Sequence, residues 1–180
     1  MKIKNYLSTN KYNLITKALV FVLCLAVDLI LKHAMAEFFA ARFSAGNFDN
    51  EPVINGFISL TYTENTGAAF SIFSNNTTAL TVFSILFVVV FAALDVSFKD
   101  ENPISGIGFA LIMAGAAGNL VDRVALNYVR DFISFDFLGN FPICNFADIC
   151  ITFGCVWYAV YFLVIAIKQD RQVKNDNNIQ

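Results

Sequence analysis

The sequence predicts an integral membrane protein whose all-α core consists of four transmembrane helices. Of its 180 residues, 57% are hydrophobic and only 14% are charged, against about 25% charged residues in an average soluble domain. Four apolar stretches approach or reach the roughly 20 residues that an α-helix needs to cross a bilayer. A net charge of −2 gives no field that would attract nucleic acid. The single histidine argues against a metal site, and we expect neither a metal nor a cofactor.

The predicted spans belong to one domain that comprises residues 1–180. They cover residues 18–39, 79–96, 104–121 and 149–167, which leaves longer loops at residues 40–78 and 122–148. Basic residues flank the spans at both ends of the chain: Lys2, Lys4, Lys11 and Lys17 before the first, and Lys168, Arg171 and Lys174 after the last. The positive-inside rule therefore predicts that both termini are cytoplasmic and that the two longer loops are extracytoplasmic.

The two longer loops carry β-strand patterns. Residues 57–62 are rich in β-formers, and the turn-forming residues Asn65-Thr66-Gly67 follow them. Residues 129–137 alternate: Val129, Asp131, Ile133, Phe135 and Phe137 share one face, while Arg130, Ser134 and Asp136 share the other. These patterns predict a small extracytoplasmic β-sheet that rests on the outer ends of the helices.

The third span has a ridge of small residues. Gly106, Ala110, Ala114 and Gly118 recur at every fourth position. Such a ridge lets neighbouring helix backbones approach closely in lipid, where hydrophobicity does not drive association. We therefore predict that this face is a helix–helix seam.

Ionisable residues lie within or beside the outer parts of the spans. They are Asp28 and Lys32 in the first span, Asp122 and Arg123 at the end of the third, Asp131 in the loop and Asp148 at the start of the fourth. Such groups cost several kcal/mol in lipid unless they face a protein interior or a water-filled cavity. Because all six belong to the outer half in the predicted topology, they indicate a single polar site.

The spacing of these residues gives local predictions. Asp28 and Lys32 form an i,i+4 pair with the acid first, a favourable ion-pair geometry in a helix, and the pair is compatible with a structural or a functional contact. Asn119 and Arg123 have the same spacing, so both can face inward. We expect Asp122 to be a charge at the rim of the bundle.

Asp148 has two explanations. In Asn145-Phe146-Ala147-Asp148, Asn145 fits an N-cap and Asp148 the third helical position, which simply begins the fourth helix. Alternatively, the helix dipole holds Asp148 ionised, while Asp131, among apolar neighbours, keeps its proton more easily. Two carboxyls that share one proton are the machinery of an aspartic protease.

Five blocks of residues, ordered from the first span to the last, carry a further signal. They are Asp28…Lys32, Asn65-Thr66-Gly67-Ala68-Ala69-Phe70-Ser71, Gly118-Asn119-Leu120-Val121-Asp122-Arg123, Val129-Arg130-Asp131-Phe132 and Asn145-Phe146-Ala147-Asp148. In these blocks the chain resembles the lipoprotein signal peptidase (signal peptidase II) family over nearly its whole length. It departs from the family in carrying Leu29, Ile30 and Leu31 where Gln and Thr are often found, which puts secondary hydrogen bonds in doubt.

The resemblance implies an intramembrane aspartic endopeptidase that cleaves diacylglyceryl-modified prolipoproteins just before the lipidated cysteine. It implies that Asp131 and Asp148 are catalytic. The expected supporting or substrate-binding residues are Asp28, Lys32, Asn65, Gly67, Asn119, Arg123, Asn145 and Ala147. It further implies a β-cradle with a short interfacial helix, inhibition by the cyclic peptide globomycin, and a location in the bacterial cytoplasmic (inner) membrane with the active site near the extracytoplasmic face. We expect a monomer in contact with membrane lipid.

Two other functions are compatible with charged residues inside spans. A small ion or proton-coupled transporter would also place such residues there, but it predicts polar groups strung across the whole membrane. A serine protease would need a Ser–His pair, and the only histidine, His33, lies beside Lys32 with no Gly-x-Ser-x-Gly motif in the chain.

Overall fold

The computed structural model describes residues 11–47, 50–67, 77–98, 102–139 and 141–177. Within these residues, four helices are long and apolar enough to cross a membrane. They are α1 (Lys11–Ser44), α2 (Thr77–Phe98), α3 (Pro103–Leu126) and α4 (Phe146–Asn177). The predicted four-span membrane core is therefore confirmed.

Each helix extends beyond the stretch that hydropathy predicted, because hydropathy detects only the apolar part of a helix. The limits of α3 come from its caps instead. The side chain of Asn102 accepts a hydrogen bond from the Ile104 amide, and Pro103 occupies the first turn. At the other end, Asn127 adopts a left-handed conformation with φ 66° and donates to the Arg123 carbonyl.

The predicted β-sheet is also present. In the described parts of the two loops, β1 (Glu51–Ile54), β2 (Ile58–Asn65) and β3 (Val129–Phe135) form an antiparallel sheet in the order β1-β2-β3. Gly56, with φ 71°, occupies the turn between the first two strands. Thr63 of β2 lies opposite Asp131 of β3, so pairing of the two loops fixes the position of Asp131.

Two details of the loops differ from the prediction or lie outside it. Phe137 does not continue β3 but belongs to a 3-10 turn, Asp136–Leu138. Asp136 accepts hydrogen bonds there from the hydroxyls of Ser59 on β2 and Ser134 on β3. The expected interfacial helix is not found in residues 45–47 or 50–67, and residues 68–76 lie outside the described residues.

Helix α3 is the centre of the bundle and packs against α1 and α4. All four residues of its predicted ridge are buried. A methyl group added at Gly106 or Gly118 would collide with side chains of α1, so the predicted seam is confirmed. A second set of small residues, which includes Gly108 and Gly115, meets α4 in the same way. Helix α2 packs mainly on α3 and exposes most of its large apolar side chains.

Candidate active site

A cavity of about 290 Å³ lies where α4 begins, between the helices and β3. Its apolar lining includes Val129, Phe141 and Ile151, and its polar lining consists of Asn65, Asn119, Arg123, Asp131, Cys144, Asp148 and Thr152. The structure therefore brings Asp131 and Asp148, which the sequence predicts as a pair, to the wall of the same cavity.

Asn145 connects the two carboxyls. Its backbone amide donates to Asp148 Oδ2 over 3.1 Å, and its own Oδ1 accepts from the Asp148 amide over 3.0 Å. This reciprocal cap confirms that Asn145 and Asp148 begin the fourth helix. The same side chain donates through Nδ2 to Asp131 Oδ1 over 2.7 Å. The capping explanation and the functional explanation therefore hold together, because one asparagine begins α4 and links the carboxyls.

Asp131 is 2% exposed and depends on amide donors. Asn65 Nδ2 donates to its Oδ2 over 2.8 Å, in addition to the Asn145 bond to Oδ1. Burial raises the pKa of Asp131 to about 7, and the charge of Asp148 acts in the same direction, while the two amide hydrogen bonds and Lys32 oppose the rise. Asp131 therefore keeps its proton to a higher pH than a solvated carboxyl does.

Asp148 lies in the first turn of α4, where the helix dipole favours a negative charge. Besides the Asn145 amide, Asn119 Nδ2 donates to its Oδ1 over 2.8 Å. The predicted pair of Asn119 and Arg123 does face inward, since both side chains line the cavity. Among the described residues, Arg123 has no carboxylate within 4 Å, so its guanidinium is available to the cavity.

A buried ion pair supports the cavity from behind. Lys32, which is 0% exposed, places Nζ 2.9 Å from Asp28 Oδ2 and 2.9 Å from Asn119 Oδ1. Asp28 Oδ1 accepts from the Ala147 amide over 2.9 Å. The predicted Asp28–Lys32 pair is thus confirmed, and it positions both Asn119 and the start of α4.

Gly67 supports the site through Asn65. Its amide donates to Asn65 Oδ1 over 2.9 Å, in a turn just after β2. This bond leaves Nδ2 of the same side chain directed at Asp131. Gly67 and Ala147 therefore contribute backbone donors that hold the residues next to the carboxyls.

The prediction that Asp122 is a rim charge is wrong. Asp122 is 0% exposed and accepts three hydrogen bonds from Arg130: from the backbone amide over 3.0 Å, from Nε over 3.1 Å and from Nη2 over 2.6 Å. Arg130 lies on the face of β3 opposite Asp131, as predicted, but the sequence offers no direct sign of its partner. The only signal in the sequence for this ion pair is an acid at the end of a predicted helix and an arginine on the next predicted strand.

A larger groove joins the cavity from the side. It has a volume of about 680 Å³ and is lined by apolar residues of α2, among them Leu80, Phe83, Phe87 and Val90. It shares Asn119, Arg123, Asp148 and Ile151 with the first cavity. Because α2 exposes most of its large apolar side chains, the groove gives a molecule that lies in the membrane a lateral route to Asp148.

The arrangement can supply an acid and a base. Asp131, whose pKa is raised by burial, lines the same cavity as Asp148 at the start of α4, and two carboxyls so placed can serve as the acid and the base of a dyad. Within the described ranges, no three His, Cys, Asp or Glu side chains cluster as metal ligands would. The polar groups that face the cavity are two carboxyls, the side-chain amides of Asn65 and Asn119, one guanidinium, a thiol and a hydroxyl.

Known proteins resemble this chain in sequence and in fold. The family model described as "Signal peptidase (SPase) II" matches residues 20–164. A lipoprotein signal peptidase of Dehalococcoides mccartyi is 37% identical over 154 residues, covering 82% of this chain and 91% of that protein. One of Clostridium acetobutylicum is 34% identical over 124 residues, covering 68% and 80%. A bacterial membrane enzyme solved by the in meso method at 2.3 Å resolution superposes with a TM-score of 0.69 and 28% identity, covering 88% of this chain and 91% of that one.

Proposed function

We propose, from the premise that this chain belongs to the signal peptidase II family, that Asp131 and Asp148 are its catalytic carboxyls. The family assignment makes the chain a multi-pass membrane peptidase that removes signal peptides from prolipoproteins. The aspartic mechanism is the proposal, and one observation carries it. Both carboxyls line one cavity and are linked by Asn145.

In the proposed reaction, a water molecule binds between the two carboxyls. Asp148 removes a proton from the water, and the water oxygen adds to the scissile carbonyl carbon. At the same time Asp131 donates its proton to the carbonyl oxygen. The tetrahedral intermediate then collapses. Asp148 gives its proton to the leaving amine as the C–N bond breaks, and a hydroxyl of the intermediate returns a proton to Asp131. The dyad ends with the single shared proton with which it began.

The supporting residues act on this dyad in two ways. Asn65, Asn119 and Asn145 orient the carboxyls through the hydrogen bonds described above. The guanidinium of Arg123 faces the cavity and would bind a backbone carbonyl of the substrate. The Asp28–Lys32 pair holds Asn119 and the amide of Ala147 in place.

The groove along α2 suits the proposed substrate, a prolipoprotein with a diacylglyceryl group on the cysteine after the scissile bond. Its apolar walls would let the acyl chains stay in lipid while the peptide reaches Asp148. Clustering of lysines at the end of the bundle opposite the cavity supports an active site at the extracytoplasmic face of the bacterial inner membrane. We propose a monomeric enzyme that globomycin inhibits by occupying the dyad.

The transporter hypothesis has no such support. It predicts polar residues distributed across the membrane, whereas the buried face of α3 between Ser105 and Asn119 carries glycine, alanine and Ile112. The comparisons likewise contain no transporter among the relatives and structures described above.

The test is cleavage of a fluorescent diacylglyceryl lipopeptide by purified protein in detergent. Asp131→Asn and Asp148→Asn should each lower turnover by at least about 100-fold, while both variants remain folded. Asp136→Asn is the matched control, because this exposed carboxylate lies five residues beyond Asp131 on the same loop, and it should retain wild-type turnover. The wild-type activity should be sensitive to globomycin and resistant to chelators. Near wild-type turnover by either dyad variant would overturn the assignment.

A further inference from the structure

Asp122 and Arg130 form a clamp between the end of α3 and the start of β3. Three hydrogen bonds join them, and in two of these the guanidinium Nε and Nη2 donate to the two carboxylate oxygens. A bidentate pair of this kind fixes orientation as well as distance. The clamp closes the tight connection that turns at Asn127, so the backbone leaving α3 enters β3 at one defined angle.

One arm of the clamp reaches Asp131. Arg130 is its neighbour in β3, and the Arg130 carbonyl accepts from Asn145 Nδ2 over 3.3 Å. The same Nδ2 group donates to Asp131 Oδ1. A change in the Arg130 backbone would therefore move both Asp131 and the asparagine that holds it.

The other arm reaches Asp148. Asp122 Oδ2 lies 3.7 Å from Lys32 Nζ. Lys32 donates to Asn119 Oδ1, and Asn119 donates in turn to Asp148 Oδ1. Asp122 thus connects to both carboxyls although neither Asp122 nor Arg130 is among the residues that line the cavity.

We infer that Asp122 and Arg130 are positioning residues of this peptidase, which set the relative placement of the two catalytic carboxyls and the charge around their shared proton. The inference rests on the proposed function. It assigns a catalytic consequence to a pair that touches neither the cavity nor the substrate.

The clamp has an electrostatic consequence because its two members carry opposite charges close to Asp131. The other charged or titratable groups around this carboxyl are Lys32 on α1, Arg123 on α3, Cys144 before α4 and Asp148 on α4. The groups that face the clamp itself are Asp28 on α1, Tyr62 and Glu64 on β2, and Tyr128 before β3. In the intact clamp the charges of Asp122 and Arg130 cancel. Removal of one leaves the other unbalanced, and the sign of the effect on the dyad depends on which one is removed.

The experiment measures kcat, KM and the pH dependence of kcat for cleavage of the same lipopeptide. Arg130→Gln leaves the Asp122 charge unbalanced, which should move the alkaline limb of the profile to higher pH by about half a unit. Asp122→Asn leaves the Arg130 charge unbalanced, which should move the limb to lower pH by about the same amount. Both variants should lose about 10- to 100-fold in kcat with KM changed less than kcat.

Arg130→Lys separates charge from geometry, because lysine keeps the charge but cannot make the bidentate contact. Compared with Arg130→Gln, it should return the alkaline limb of the pH profile to its wild-type position but recover only part of the wild-type kcat. Glu51→Gln is the matched control, since it breaks the ion pair between Arg42 and Glu51, which also ties a loop to a helix but does not contact the dyad network. It should leave both kcat and the pH profile unchanged.

The outcomes distinguish this inference from the proposed function. If Asp131→Asn is inactive while Arg130→Gln and Asp122→Asn keep the wild-type kcat and limb, the clamp is only structural and the inference fails. The same conclusion follows if the two limbs move in the same direction, or if activity falls only in proportion to the folded fraction. If Asp131→Asn is active, the dyad assignment itself fails.

Discussion

The two halves of the helix bundle are held together by different forces. In the half that contains the cavity, called here the dyad half, α1, α3 and α4 meet through buried charges, with Lys32 between Asp28 and Asn119. In the other half, called the seam half, α3 and α4 meet through small residues. At Gly108 and Gly154 the backbones approach so closely that an added methyl group has no room.

The difference follows from what each kind of contact requires. Close packing of small residues needs only the absence of side-chain atoms, and it leaves no group without a partner. Buried charges lose their hydration and are stable only while each keeps its partners. The dyad half is therefore a network in which the loss of one charged residue leaves another without its partner.

The dyad half is electrically balanced only when the dyad carries a proton. Four carboxyls face three cations in this network: Asp28, Asp122, Asp131 and Asp148 against Lys32, Arg123 and Arg130. With one proton shared between Asp131 and Asp148, the formal charges of these seven side chains sum to zero. Since an uncompensated charge in the membrane is costly, the surroundings favour the singly protonated state that the proposed reaction needs.

The largest effect on this comparison should come from Lys32→Met. The substitution keeps a side chain of similar length but leaves the carboxylates of Asp28 and Asp122 without their shared cation. We expect a loss of about 3–5 kcal/mol in the free energy of unfolding, measured in mixed micelles through the fluorescence of Trp157, the single tryptophan.

Two matched substitutions calibrate that loss. In the seam half, Lys17→Met breaks a pair with Asp95 at 2.6 Å whose side chains are 13% and 14% exposed, and it should cost about 1 kcal/mol. Lys174→Met breaks a pair with Asp170 in which the lysine side chain is 71% exposed, and it should cost less than about 0.5 kcal/mol. Equal losses in all three variants would show that burial does not distinguish the two halves.

A smaller effect separates packing from catalysis. A methyl group at Gly115 would collide with the carbonyl of Ala147, and one at Gly154 would lie 2.8 Å from the carbonyl of Gly108. Both Gly115→Ala and Gly154→Ala should therefore destabilise the protein by about 1–3 kcal/mol. Only Gly115→Ala should also lower kcat for lipopeptide cleavage, because Ala147 is the neighbour of Asp148. A comparable loss of kcat per folded molecule in Gly154→Ala would contradict the separation.

The seam half was predictable from sequence, and so was much of the dyad half. Ridge positions such as Gly106 and Ala110 follow from a four-residue spacing that depends on helix geometry alone. The Asp28–Lys32 pair and the cap formed by Asn145 are also local, because their partners are three or four residues apart. Local spacing is enough where both partners lie on one helix.

The prediction failed where partners come from different elements. Asp122 looks like a rim charge because it stands at the end of an apolar span beside Arg123. Its burial depends on Arg130, whose side chain reaches it only after the chain has turned at Asn127 and entered β3. The bonds from Asn145 to Asp131 and from Lys32 to Asn119 likewise depend on packing between elements. Spacing along the chain carries no information about such contacts.

The pH dependence that Asp131 adds to stability tests the protonation of the dyad half. Burial raises its pKa from 3.8 to about 7, so between these values the folded protein binds more protons than the unfolded chain. The contribution of this group to stability is therefore fully present below about pH 4, declines as the pH rises, and is lost above about pH 7.

Unfolding free energies of wild type and Asp131→Asn, measured at steps from pH 4 to pH 8, isolate this contribution. Their difference should change in favour of the variant up to about pH 7 and then level off, and wild-type turnover should fall over the same upper range as the dyad loses its proton. Parallel stability curves across the whole range would mean that Asp131 is already ionised in the folded protein, and the proton required by the dyad would then have to reside elsewhere in the dyad half.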